Sequence, residues 1–354
     1  MNRIERQCNP VQGAAYGQTP TLELQLGPRY RGLLFEVIAT AAAAKTLQIN
    51  DVLSLITVKI GGNPQRTHTA NELDMIHKSF GAQYGLNAYN YDAGILHWTG
   101  GNGVPDGPVA AKQTIFYLPL FFREPWRASY AARDMMAWYT AWANGSVLPS
   151  FSVEMQIPAA SANVLANSAI TINAYAETDN AVGPLDTNKN PVGMITKWKR
   201  QGLVYGGAGD LVITNLNKAE IYNQISRFSA YAANLGPLPG RTPAQLLADQ
   251  NDLVTPAFDA ITRAKVEVDN ATVRDVTKTI SDQMLIGDDF NEGGLPPDRL
   301  DIVFDKSDLP TDGLIMQANG ATVKDFRITA TVAGGVAANK TINALSQIYG
   351  AIEK

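Results

Sequence analysis

One pattern occurs twice in the chain. The stretch from Val52 to Asn63, VLSLITVKIGGN, is apolar at Leu53 and Leu55, slips one residue in phase, resumes at Ile56, Val58 and Ile60, and breaks at Gly61-Gly62-Asn63. Far downstream, ITRAKVEVDN repeats the scheme through Ala264, Val266 and Val268 and breaks at Asp269-Asn270. Period-two alternation that stops at turn-forming residues predicts a half-buried strand entering a tight turn. Each copy follows another alternating strand, Leu22/Leu24/Leu26 in one case and Leu211/Ile213 in the other. A tandem duplication of an all-β unit accounts for both.

Length and composition agree with two β units. The 354 residues exceed the roughly 250 to 300 at which one core stops growing. Charged residues make up 18%, while 30 Gly and 19 Pro supply many turns, so the fold class is mainly β. Net charge is −4 and the basic residues form no block, which argues against direct nucleic-acid binding. The one cysteine, Cys8, excludes an internal disulfide and reads as a tolerated residue rather than a nucleophile. The N-terminus lacks the apolar core of a signal peptide, and the apolar stretch from Leu33 to Ala44 is interrupted by Glu36, so neither export nor a membrane span is expected. Glycosylation matches at Asn144, Asn270 and Asn339 are then chance.

Residues 1–20 read as a polar leader. Strands are expected at Leu22 to Leu26, Leu33 to Thr40, Val52 to Ile60, Ala93 to Trp98, Thr114 to Phe122, Phe151 to Ile157 and Ala169 to Ala176. Pro119 marks TIFYLPLFF as an edge or irregular strand. A helix follows the first hairpin, with Thr69 and Glu72 as a capping box, Leu73, Ile76 and Phe80 on one face and Gly81 at the C-cap. A second helix starts at Ser129 with Met135, Trp138 and Trp142 on one face. Residues 179–192 lack apolar periodicity and are the natural linker. The second unit, 193–354, has strands at Ile195 to Tyr205, Leu211 to Asn215, Ile221 to Phe228, Arg263 to Val268, Val273 to Ile280, Leu300 to Phe304 and Phe326 to Val332, and a closing helix from Ile342. Between Leu235 and Val254 lies a long polar excursion with a short helix at Thr242 to Ala248. Seven or eight strands per unit fit two tandem eight-stranded jelly rolls with short helical insertions, 21–178 and 193–354, better than a propeller or two immunoglobulin-like sandwiches.

Catalytic groups are sparse. The three histidines, His68, His77 and His97, have neither H-E-x-x-H spacing nor an accompanying G-x-S-x-G elbow. Gly206-Gly207-Ala208-Gly209-Asp210 precedes a strand rather than a helix, which makes it a turn and not a phosphate cradle. The acidic loop GDDFNEGGLPPD offers oxygen ligands for calcium at Asp288, Asp289 and Glu292, with Asp298 nearby, but without EF-hand spacing; a solvated loop is the plainer reading. Tyr84, Tyr89, Tyr91 and Trp98 could pave a sugar platform, or simply pack a loop. No catalytic residue and no cofactor is assigned.

The segments TLELQLGPRYRGLLFEV and QINDVLSLITVKIGGNPQRTHTANELDMIH, with KVEVDNATVRDVT, LDIVFDKSDLPTDGLIMQ and VKDFRITATVA in the second half, resemble the double jelly-roll major capsid proteins of tailless, membrane-containing icosahedral bacteriophages, tectivirus-like or corticovirus-like. The resemblance lies in the order of strands, turns and capped helix. It implies rolls side by side and a homotrimer with near-sixfold outline, meeting neighbouring capsomers and minor capsid proteins in a virion made in the host cytoplasm. It further implies an internal membrane, with the leader carrying Arg3 and Arg6 and the C-terminal helix near the inner face. The loop aromatics, Trp138 and Trp142 are then candidate contacts between rolls or subunits. The competing expectation is a carbohydrate-binding or carbohydrate-cleaving β-sandwich of spike or lectin type.

Overall fold

The computed structural model describes residues 3–43, 45, 47–78, 84–92, 95–98, 113–127, 129–205, 208–214, 224–233, 261–287, 299–304, 314–315, 317–318, 321–332 and 340–352. The chain forms two compact units, Met1–Thr196 with Ala351–Lys354, and Lys197–Gly350. Residues 179–192, expected as linker, lie inside the first.

The first unit contains β1 (Ile4–Gln7), β2 (Thr21–Glu23), β3 (Arg29–Thr40), β4 (Leu55–Ile60), β5 (Asn63–Thr69), β6 (Asn87–Asp92), β7 (Ile95–Trp98), β8 (Gln113–Phe121), β9 (Trp138–Tyr139), β10 (Phe151–Gln156) and β11 (Thr171–Asp179), with helices α1 (Ala70–Lys78) and α2 (Tyr130–Met135). One layer runs β5-β4-β10-β2, the other β11-β3-β8-β6, extended by β1 and β7 at its ends and by β9 beside β3. Two four-stranded layers are the frame of a jelly roll. Alternation decides which side chains point between them. Leu33, Phe35, Val37 and Ala39 of β3 and Phe116, Leu118 and Leu120 of β8 share one buried core with Ile56, Val58 and Ile60 of β4 and Phe151, Val153 and Met155 of β10. The phase slip near Leu55 marks where the strand starts: Val52 and Leu53 are buried just before it, after a single 3-10 turn at Ile49–Asp51. Pro119 lies in β8 opposite Leu34, two residues beyond the last pair with β6 at Tyr117, so β8 is interior at its start and loses its second neighbour near the proline.

In the second unit, the strands Gly209–Ile213, Phe326–Val332, Ile261–Val268 and Ala271–Thr277 form a sheet in that order, and Gln224–Ala233 pairs with Arg299–Val303, Leu314–Ile315 and Lys340–Ala351. Ile213, Ile261, Ala264, Val266, Phe326, Ile328, Ala330 and Val332 are buried.

The repeat seen in the sequence is a repeat of structure. The order β5-β4-β10-β2 corresponds strand for strand to Ala271–Thr277, Ile261–Val268, Phe326–Val332 and Gly209–Ile213. Both hairpins close through two residues with positive φ, Gly61 (58°) and Gly62 (82°), and Asp269 (48°) and Asn270 (66°). That is the turn whose twist matches a hairpin, and Gly, Asn and Asp tolerate it. Register slips at the same place in each: Val58 faces Arg66 and Lys59 faces Pro64, while Val266 faces Arg274 and Glu267 faces Thr272. Each second strand ends at a threonine, Thr69 or Thr277, that starts a helix, α1 or Lys278–Gly287.

Several expectations are corrected. The leader is not merely polar coil, because β1 pairs with β11 from Ile4↔Thr178 to Gln7↔Tyr175. The second helix starts at Ser129, whose Oγ accepts from Ala132 N at 3.1 Å, but ends at Met135. Trp138 then enters β9 opposite Tyr30, because a buried space among Phe122 and Phe151 takes the indole. The expected strand from Val273 to Ile280 stops at Thr277; the rest is helix, started by Thr277 Oγ1 accepting from Ile280 N at 3.4 Å. The expected C-terminal helix is the strand Lys340–Ala351, which pairs with Gln224–Ala233 and is buried on both faces from Leu345 to Gly350. Burial on both faces removes the polar alternation that distinguishes a strand from a helix. The excursion from Leu235 to Val254, the acidic loop from Asp288 to Asp298, Gly206 and Gly207, and Phe80 and Gly81 lie outside the described residues.

Candidate functional site

The residues that could do chemistry are placed as packing groups. His68 lies in β5 and is buried. His77 is buried near the end of α1, with Phe121 at 4.9 Å and Trp126 at 6.1 Å between ring centres. Tyr84 closes the same aromatic cluster edge-on to Phe121 and Trp126, and its hydroxyl donates to Pro125 O at 3.4 Å. His97 lies in β7, in a different layer from His68. Tyr89 and Tyr91 in β6 and Trp98 in β7 are regular strand residues, with Tyr89 in register opposite Trp98. The Cys8 thiol is half-buried, and burial pushes its pKa up against the opposing charge of Arg6, so it is held in the unreactive protonated form. Among the described residues no group of three or more His, Cys, Asp or Glu is arranged to hold a metal ion.

Charged side chains converge elsewhere. Arg29 and Arg31 point from one face of β3, Glu177 and Asp179 from the end of β11, Asp134 from α2, and Arg123 from just beyond β8. Asp179 is fully buried and takes a two-pronged contact from Arg29, Nε to Oδ1 at 3.1 Å and Nη2 to Oδ2 at 2.6 Å. Arg31 Nε lies 3.1 Å from the same carboxylate, and Arg31 Nη2 meets Asp134 at 2.5 Å. Arg123 pairs with Glu177 at 3.1 Å, and Arg3, beside β1, reaches Glu177 at 3.2 Å. Burial pushes the Asp179 carboxyl up, but hydrogen bonds from Arg29 and Ala181 N and the charges of Arg29 and Arg31 outweigh it and leave its pKa below the usual range. Four guanidiniums and three carboxylates thus fasten the leader strand, β3, β11 and α2 at one end of the unit. The chemistry available is cohesion: every charge is spent on a neighbour. The alternations R-Y-R and E-T-D were the signal for this network in the sequence.

The tryptophans expected at contacts between rolls or subunits are occupied within the first unit. Trp138 is fully buried, stacked near Phe122 at 4.7 Å, with the Arg66 guanidinium 4.9 Å above its ring. Arg66 is held by Phe121 O and Thr196 O, both at 2.6 Å. Trp142 is buried against Gly183 and donates from Nε1 to Val192 O at 2.9 Å, which fastens residues 183–192 to the unit. Both side chains are buried, so neither offers an exposed face for a contact between subunits.

Residues 5–90 match the family model described as the viral coat protein P2 N-terminal domain. The major capsid protein P2 of bacteriophage PM2 superposes with TM-score 0.63 at 12% identity, covering 100% of this chain and 99% of that one. The chain has the double jelly-roll fold. The major capsid protein of Sulfolobus turreted icosahedral virus matches this double jelly roll with TM-score 0.65 at 8% identity, over 99% of this chain and 97% of that one. The PBCV-1 capsid protein does so with TM-score 0.61 at 11% identity, over 100% and 97%. No curated protein sequence matches the chain. The two compact units are its first and second rolls.

Proposed function

We propose that this chain is the major capsid protein of a membrane-containing icosahedral virus, a structural protein that acts by assembly and not by catalysis. The observation that carries this reading is the pairing of a coat-protein family match at residues 5–90 with a double jelly roll that spans the chain from end to end. The internal repeat supports it physically: two similar rolls per chain, taken at 21–178 and 193–354, let a homotrimer imitate a hexagon and tile a lattice. Interfaces of such permanent assemblies bury more than about 2,000 Å² in total. Neighbouring capsomers, minor capsid proteins and an internal membrane are the partners. Assembly follows synthesis in the host cytoplasm, and the genome is not bound directly.

The test is assembly itself. Light scattering on purified protein is expected to give three times 38.1 kDa, with hexagonal particles by negative-stain microscopy. A stable monomer that binds glycans would replace this reading with a carbohydrate-binding sandwich.

A further inference from the structure

A tight turn in the first roll carries the atoms for a covalent change. Ala141 and Val147 pair in an antiparallel bridge, Trp142 N donates to Ser146 O at 2.9 Å, and Gly145 N donates to Trp142 O at 2.9 Å. Gly145 has φ 82°. This is a three-residue hairpin loop that ends in a left-handed residue, a conformation glycine takes without strain. The turn therefore asks for glycine, and Asn144 stands directly before it. Among the described residues this is the one Asn-Gly pair, and both members are exposed. A Cβ built on Gly145 would meet nothing within 4 Å, so this side of the turn is open to water and base.

Asparagine before glycine is prone to cyclise on itself, because no side chain shields the following nitrogen. The glycine nitrogen loses its proton and forms a bond to the asparagine Cγ. The Cγ–Nδ2 bond breaks, and ammonia leaves with that proton. Water then opens the imide ring at either carbonyl and leaves an aspartyl or isoaspartyl residue. Water enters, ammonia departs, and nothing is oxidised or reduced. In this turn each reacting group is engaged. Gly145 N–H is given to Trp142 O, Asn144 Oδ1 accepts from Ser146 N at 3.0 Å and Ser146 Oγ at 2.6 Å, and Asn144 Nδ2 donates to Lys189 O at 3.2 Å. Ring closure needs the Gly145 proton released and the amide turned towards it, so it proceeds from the locally opened turn.

We infer that Asn144 is a site of spontaneous deamidation, that opening of the turn at residues 142–146 sets its rate, and that the product loosens residues 186–190. The loosening follows from Lys189. Its φ of 63° is a left-handed backbone that a lysine keeps only when its surroundings hold it. Asp186 holds it from within the loop: Lys189 N donates to Asp186 O at 3.0 Å, and Asn188 N and Asn190 N donate to Asp186 Oδ1 at 2.9 and 2.7 Å. Asn144 holds it from across. A carboxylate in place of the amide has no hydrogen to donate, and its charge repels the Lys189 carbonyl oxygen.

Peptide mapping by mass spectrometry tests this on the full chain, incubated in mildly alkaline buffer with and without denaturant. Conversion at Asn144 is expected in both, about tenfold slower in the folded chain. Ser146→Ala takes one donor from Oδ1 and is expected to speed the folded chain about threefold while leaving the denatured rate unchanged. Asn144→Asp carries the product's charge from the start, and trypsin is expected to cut it after Lys189 about threefold faster than the parent. A folded chain in which Asn144 stays intact while the denatured chain converts overturns the site. Equal rates in the folded and denatured chain, or no acceleration in Ser146→Ala, overturn control by the turn. Unchanged trypsin cleavage in Asn144→Asp overturns the loosening.

Discussion

Arg29 grips the buried carboxylate of Asp179 with two nitrogens, across paired positions at the end of β3 and β11. Removing the Asp179 charge leaves Arg29 buried with only Asp134, 3.7 Å away, as a counter-charge, and takes a partner from Arg31 as well. Asp179→Asn is expected to cost about 3–5 kcal/mol of stability, measured by denaturant unfolding of the full chain. Replacing Arg29 and Asp179 together by apolar residues is expected to cost less than Asp179→Asn alone.

The same pair sets a dependence on pH. The folded-state pKa of Asp179 lies below its unfolded value, so its contribution is fully present above the ordinary aspartate range, about 3.9. It is lost as pH falls through the lower folded value. Melting temperature followed from neutral to acid is expected to fall more steeply for the parent than for Asp179→Asn in that acid window, and the two curves converge below it.

Gly183 lies flat against the Trp142 indole. A Cβ there would sit 2.5 Å from Cδ1 and Nε1 of that ring. Gly183→Ala is expected to cost about 1–3 kcal/mol through displaced packing, and to raise protease cleavage within residues 183–192. Equal cleavage rates in variant and parent would show that the ring does not hold this segment.

The turns offer a matched pair of tests. Val in place of Gly62 or of Asn270 must adopt a left-handed backbone, at about 1–2 kcal/mol each. Asn270→Gly is expected to change stability by only a few tenths of a kcal/mol.

The capping box at α1 is reciprocal, with Thr69 N donating to Glu72 Oε2 at 2.7 Å and Glu72 N to Thr69 Oγ1 at 3.1 Å. Thr69→Ala is expected to cost about 1 kcal/mol. Its counterpart Thr277→Ala, where Ile280 replaces the glutamate, is expected to cost less.

Local rules were legible in the sequence because they act over a few residues. Alternation at Ile56, Val58 and Ile60 placed β4, the Gly-Gly and Asp-Asn pairs placed both turns, and Thr69 with Glu72 placed the start of α1. The duplication followed from these signals, and with it the two-roll plan. Tertiary structure decided whatever depends on what lies opposite. Trp138 sits at helical spacing from Met135 yet joins a strand, because Phe122 and Phe151 leave a space for it. Leu345 to Gly350 show no alternation because both faces are covered, so a strand there looks like a helix. Arg29 and Asp179 are far apart in the chain, and only the register of β3 against β11 makes them a pair. Gln65 and Val273 occupy the same place in two copies of one hairpin, but burial differs because the neighbours of a strand are set by the folded chain and not by the strand.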